Sequence, residues 1–275
     1  MTAEPKTIPK EVVCTYHAPG RRVLELAIVA RIMPVPGVLA TITRVLADYN
    51  VRILSLNFTS RGDMRYVTMF ADFTKARAPV DVIVSRLKEL GFVKDVVVSS
   101  EGVSDLLIDV LAFPPTTDMG KTRLVLFSAE LFSKLLCTLY TKFGTGGAAL
   151  VFHEGRLVGE MLASRLGIKP RSSREVVARA LKVLQAMGLG IPEVVRYDPS
   201  TPYALIRVIN GFEPLACREL GEPSCHYTRG MLAGFFSKAW GVSVRCRELK
   251  CVGAGDDFCE FEVTSAELTP TKWAL

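Results

Sequence analysis

Amides, histidines and clustered charge are all scarce in this 275-residue chain, which holds three Asn (Asn50, Asn57, Asn210), a single Gln (Gln185) and three His. Amide depletion is a mild sign of a thermophile. The basic excess is diffuse: Lys and Arg outnumber Asp and Glu by 14 to 10 over residues 1–102 and by 20 to 18 over the rest. With no Lys/Arg run, zinc-finger spacing or helix-turn-helix pattern, direct nucleic-acid binding is not expected. No apolar run in the sequence approaches the roughly 18 to 20 residues of a bilayer crossing. The first twenty residues carry Glu4, Lys6, Lys10 and Glu11 with no apolar core, so neither a membrane span nor a secretory signal is expected, and the expectation is a cytoplasmic protein.

What the chain does have is apolar content, 49% of residues with 23% charged, enough for ordinary buried cores and against intrinsic disorder. Length favours two domains. Residues 1–21, with Pro5, Pro9, Pro19 and Gly20, read as a tail. Residues 22–101 follow the order strand, helix, strand, strand, helix, strand. Val23–Ala30 is a buried-strand run, and Val38, Leu39, Ile42, Val45, Leu46 and Tyr49 keep helical spacing. Two strand patterns flank the turn Ser60–Asp63. A helix follows Pro79 and stops at Gly91, and Phe92–Ser99 closes the unit. That order predicts a ferredoxin-like βαββαβ domain.

Residues 102–120 read as a connection. Gly120-Lys121-Thr122 does not complete a phosphate loop, because Pro115 stands where the first glycine is needed. From 121 to 275 the pattern predicts an α+β domain: a helix over Ser128–Thr141 ended by Phe143-Gly-Thr-Gly-Gly147, a strand Ala148–His153, and helices Gly155–Leu166 and Ser173–Met187. Strands Glu193–Tyr197 and Tyr203–Asn210 follow, then a helix Pro223–Trp240 and two strands around Gly253–Asp257.

Seven cysteines are spread unevenly, five of them between Cys217 and Cys259. Cys225, Glu248, Cys251 and Cys259 offer three soft thiolates and a carboxylate, a set suited to a tetrahedral structural Zn²⁺ with no position left for a reacting water. Cys251 and Cys259 flank a hairpin turn, and Glu248 differs from Cys251 in strand parity, so a bulge must bring both to one ion. Arg229, Arg245, Arg247 and Lys250 lie near enough in sequence to offset the anionic ligands. A Cys251–Cys259 disulfide and unpaired core thiols remain alternatives. His153 stands beside Glu154 at a corner where a polar pocket group fits, and Cys246 shares parity with Val244 and Glu248 as a pocket-lining thiol or a small buried residue. His17 and His226 have no partner that would make a catalytic triad.

Two stretches resemble known families. The turn Pro36-Gly37-Val38-Leu39 and the exit Tyr49-Asn50-Val51-Arg52-Ile53 resemble the ACT domain, which implies effector binding at Gly37, Val38 and Leu39 or dimerisation alone. Met33, Pro34, Val35 and Pro36 provide no carboxylate there to hold an amino acid. Cys225-His-Tyr-Thr-Arg-Gly230-Met-Leu-Ala-Gly234, Glu248-Leu-Lys-Cys251, Gly255-Asp256 and Cys259-Glu-Phe261 resemble the 4-vinyl reductase domain, whose core is similar to the Bet3-like fold. That resemblance implies a homodimer, structural zinc and a small-molecule effector in a pocket above the zinc hairpin, involving Ala204, Arg229 and Cys246. Ala204 and Cys246 stand where the phenol sensors of that family carry aromatic residues, which argues against phenol itself. The expected role is a non-enzymatic ligand sensor or regulator. A dimerisation adaptor and a tetrapyrrole vinyl-group reductase are the alternatives, the latter with no dinucleotide fingerprint to supply electrons.

Overall fold

The computed structural model describes residues 11–33, 36–117 and 120–266, apart from the side chain of Glu219, and divides into two compact units at Val125/Leu126. The first contains β1 (Thr15–His17), β2 (Val23–Arg31), α1 (Val38–Asp48), β3 (Arg52–Arg61), β4 (Met64–Asp72), α2 (Val80–Lys88), β5 (Val93–Ser99), β6 (Gly102–Val103), β7 (Leu106–Ile108), β8 (Thr116–Thr117) and β9 (Thr122–Arg123). Its main sheet has the antiparallel order β3-β4-β2-β5, the ferredoxin-like arrangement. β2 is flanked on both edges, so its run Val23–Arg31 is apolar almost throughout. Leu26, Ile28 and Ala30 meet Ile42 and Leu46 of α1 and Ile83 and Leu87 of α2 in one core. Asn50 ends α1 in the left-handed region (φ 59°), where Asn is tolerated, and its amide donates to Lys75 O at 2.7 Å.

The tail and connection readings need correction. β1, from the supposed tail, pairs with β7, and β7 with β6, both drawn from residues read as a connection. The physical cause is the second face of the sheet, where Val23 and Phe70 would otherwise meet water; Ala18 packs there, and Tyr16 stacks on Phe70 at 5.9 Å. Glu25, 2% exposed, accepts from the amides of Val110 and Leu111, each at 3.0 Å. Burial first, then a hydrogen bond with Asp109, pushes its carboxyl up to about 7.

The second unit contains α3 (Ala129–Arg165), α4 (Arg174–Ala186), β10 (Ile191–Asp198), β11 (Tyr203–Ile209), α5 (His226–Trp240), β12 (Val244–Lys250) and β13 (Cys259–Ser265). Its antiparallel sheet has the order β10-β11-β13-β12. The strand expected over 148–153 does not exist: these residues are helical, within an α3 that kinks at Gly144 (φ 57°, ψ −137°) and resumes. The glycine cluster is thus a kink, not a loop. α5 begins at His226, later than expected, because Cys225 is its N-cap.

What joins α3 to α5 is backbone contact. A methyl group on Gly155 or Gly159 would overlap the carbonyl oxygens of Tyr227 or Met231, and one on Gly230 or Gly234 those of Phe152 or Arg156. The two Gly-x-x-x-Gly spacings therefore interlock, as small residues do wherever helices approach closely. α3 contains an 18-residue window of mean hydropathy 1.3, apolar enough by composition to cross a bilayer and only 28% buried; its glycine face is nevertheless occupied by α5. Cys137 and Cys217, unassigned from the sequence, are joined in a disulfide.

Candidate metal centre and adjoining cleft

Four elements deliver the cysteine and glutamate side chains to one point. Cys225 caps α5, and its amide donates to Glu248 Oε2 at 3.2 Å. A register shift between Glu248 and Lys250 is the bulge that parity required. Cys251 enters the turn Val252–Ala254, which closes through Gly255 in the left-handed region (φ 97°) and is braced by the Cys251 amide donating to Asp256 Oδ2 at 2.8 Å. Cys259 opens β13 on the face of Phe261 and Val263, all 1% exposed or less. One ligand atom from each of Cys225, Glu248, Cys251 and Cys259 lies within 4.8 Å of the others.

The donor set fits a tetrahedral ion. Cys225 Sγ is 3.7 Å from Cys251 Sγ and 3.6 Å from Cys259 Sγ, against about 3.8 Å for the edge of a tetrahedron with Zn–S bonds of about 2.3 Å. Glu248 Oε1 is buried with no hydrogen-bond partner, an orphaned acceptor of the kind a cation satisfies. Hydrogen bonds from Cys225 and Cys259 hold the Cys251 thiol far below the usual range, while Cys225 is pushed up mainly by the same contacts. Burial, then the nearby Cys251 charge, raises the Glu248 carboxyl. Thiols that must share protons in this way release them to a divalent cation. Cys251 and Cys259 are not bonded to one another.

Below the cluster, Glu213 is fully buried and accepts from the amides of Tyr227 and Thr228 at 2.6 and 2.7 Å. It caps the first turn of α5, and burial raises its carboxyl to about 7. Sequence reasoning missed this residue, since nothing local distinguishes a Glu fourteen positions before the helix it caps. The α3–α5 glycines were also missed, although their paired spacing is visible in the sequence.

Beside the hairpin lies a cleft of about 400 Å³ lined by Phe152, His153, Arg229, Val244, Arg245 and Cys246 among others. His153, Arg229 and Cys246 thus come together. Ala204 does not line it: it is fully buried on β11, two strands inside the sheet edge and covered by the core, whereas its row-mate Cys246 on the edge strand reaches the cleft. Burial pushes the Cys246 thiol up, keeping it neutral. Arg229 Nη2 lies 3.3 Å from His226 Nδ1, its guanidinium sits 5.3 Å from the Phe152 ring centroid, and its Nε is buried without a partner. Burial, then Arg229, lowers His226 to about 4, so Nδ1 is free to accept.

The cations expected to offset the ligands turn elsewhere. Arg247 pairs with Glu262 at 3.1 Å, Lys250 lies over Phe258 at 4.8 Å, and Arg229 and Arg245 line the cleft, because strand alternation carries odd positions of β12 away from Glu248. In the first unit Gly37 precedes α1 and Val38 and Leu39 open it, with Val38 buried in the core. Of the turn before them, Pro34 and Val35 lie outside the described residues.

An α+β unit whose last hairpin and preceding helix converge on three cysteines and a glutamate defines the class of domain. Consistent with it, residues 206–265 match the family model of the vinyl-4-reductase domain. The chain is 24% identical over 153 residues to the uncharacterised protein MJ0150 of Methanocaldococcus jannaschii, covering 54% of this chain and 80% of that protein. Among solved structures it is similar to the phenol-responsive sensory domain of the transcription activator PoxR with phenol (19% identity, TM-score 0.47, 55% of this chain and 81% of that one). It is also similar to a vinyl-4-reductase family protein of M. jannaschii (20% identity, TM-score 0.33, 52% and 99%).

Proposed function

We propose that this chain is a non-enzymatic sensor in which a small molecule occupies the cleft and a structural zinc ion, held by Cys225, Glu248, Cys251 and Cys259, fixes its wall. The observation that carries this is shared construction. Arg229 of the cleft is one turn along α5 from Cys225, and Cys246 is on the same strand as Glu248. A ligand that moves α5 or β12 must therefore strain or relieve the metal hairpin, giving it different affinity for two packings. Four protein ligands saturate a tetrahedral zinc, so the ion supports the fold and leaves no place for a substrate. The match of residues 206–265 to the vinyl-4-reductase domain supports the same reading.

The first unit acts in this proposal as an ACT-like effector or dimerisation module. Leu150, Leu157 and Met161 form an exposed apolar row on α3, which favours a homodimer as the working form. The test is elemental analysis of freshly purified protein together with thermal shift against a library of aromatic, acyl and amino-acid compounds. Zinc near one equivalent per chain and a saturable shift are expected. Absence of zinc, or of any shift across the library, rejects the proposal.

A further inference from the structure

Arg229 is a half-buried cation for which the fold provides no anion. Among the described residues no carboxylate lies within ion-pair distance of it, and no hydrogen bond joins it to any of the four candidate metal ligands. Its contacts are a histidine nitrogen through Nη2 and the face of Phe152, and its Nε is sealed from water with nothing to donate to. Burying a charge without a partner is unfavourable by amounts that folding rarely tolerates without a compensating role. Arg245 adds a second positive charge to the cleft lining, which includes no Asp or Glu. The rest of the lining used here, Ala149, Phe152, Val244 and Cys246, is apolar or neutral.

From this arrangement we infer that the cleft takes an organic anion: a compact carboxylate whose charged end pairs with Arg229 and whose small apolar body lies against Phe152 and Val244. The inference rests on the sensor reading above and specifies its ligand class. A guanidinium is suited to the two oxygens of a carboxylate, which it can grip in parallel. The cleft volume of about 400 Å³ lies near the small end of the range for ligand pockets, which favours an aromatic or short-chain acid over a long acyl chain. Neutral ligands of the same shape would leave Arg229 as unsatisfied as it is in the free protein.

The test uses the full-length, zinc-loaded protein and three probes of one shape, benzoate, benzamide and benzylamine, titrated by calorimetry. Benzoate is expected to bind at least about tenfold more tightly than benzamide, the usual advantage of a charge-assisted contact, with benzylamine weakest. Arg229→Gln should weaken benzoate by about tenfold or more and leave benzamide within about twofold. Benzamide or benzylamine binding as tightly as benzoate overturns the inference while leaving the sensor reading standing. Benzoate binding that survives Arg229→Gln unchanged also overturns it. If that variant loses its zinc or helical signal, a structure of the wild-type benzoate complex decides: a carboxylate on the Arg229 guanidinium supports the assignment, and one elsewhere refutes it. No binding by any of the three refutes it too; the sensor reading falls with it only if the wider library also gives no shift.

Discussion

The two units reach stability by opposite uses of space. In the first, a sheet and two helices are held apart by side chains, and the interface is filled by Leu26, Ile28, Ile42, Leu46, Ile83 and Leu87, each 1% exposed or less. In the second, α3 and α5 have no side chains between them at Gly155, Gly159, Gly230 and Gly234, and their backbones touch. One interface tolerates loss of a side chain poorly; the other cannot accept the gain of one. Each unit also buries a glutamate that satisfies two backbone amides, Glu25 in the first and Glu213 in the second. In the second unit that carboxylate serves the helix that carries the metal ligand Cys225.

The contrast can be tested from its strongest consequence downward. Chelation or Cys259→Ser should remove metal-linked folding energy on the order of 10 kcal/mol from the second unit only, seen as loss of its calorimetric transition while that of the first persists; a Cys259→Ser protein that melts like the parent refutes the metal's role. Next come two changes to the same product residue. Leu26→Ala should cost about 2 to 5 kcal/mol by opening a cavity, and Gly159→Ala about 3 kcal/mol by overpacking two helices that cannot separate locally. Denaturant unfolding measures both, and a neutral Gly159→Ala would mean that the helices are free to shift.

A smaller effect is expected from pH. The Glu25 carboxyl is raised to about 7 in the folded protein against an ordinary 4.5, so between those values the folded state holds a proton that the unfolded state has lost. The contribution of Glu25 is therefore complete below about pH 4.5 and declines as pH rises to about 7. Glu25→Gln should flatten that slope in the first unit. Least of all for stability, Leu157→Glu on the exposed row of α3 should change folding by under about 0.5 kcal/mol, yet should shift the sedimentation of the proposed dimer toward monomer.

How much of this was legible in the sequence follows from the same contrast. The first unit's βαββαβ order could be read because Ile42 and Leu46, or Ile83 and Leu87, face one core and leave a polar face behind. Helices α3 and α5 gave no such stripe. α5 is buried between the sheet and α3, with ten buried residues around its circumference, and an all-round apolar helix has no phase to detect. The run 148–153 reads as a strand for that reason. The metal cluster was legible because ligand chemistry restricts residue type, and the bulge between Glu248 and Lys250 followed from parity alone. Ala204 was misplaced because alternation tells which face a residue is on but not whether a neighbouring strand and helix cover it. Cys137 and Cys217 pair across 80 residues, a separation that spacing cannot reveal.

The glycine contact has a last consequence for how such a domain diversifies. Gly230 rests against the carbonyl oxygen of Phe152, and Arg229 is its chain neighbour, so the jaw formed by Phe152 and Arg229 has a fixed gauge set by two main chains. No rotamer change can widen it, and no substitution at the contact can do so without parting the helices. Relatives with other ligands would have to keep the gauge and change the teeth, and a library randomised at Phe152, Val244 and Cys246 would explore new specificities while one randomised at the glycines would chiefly yield unfolded chains.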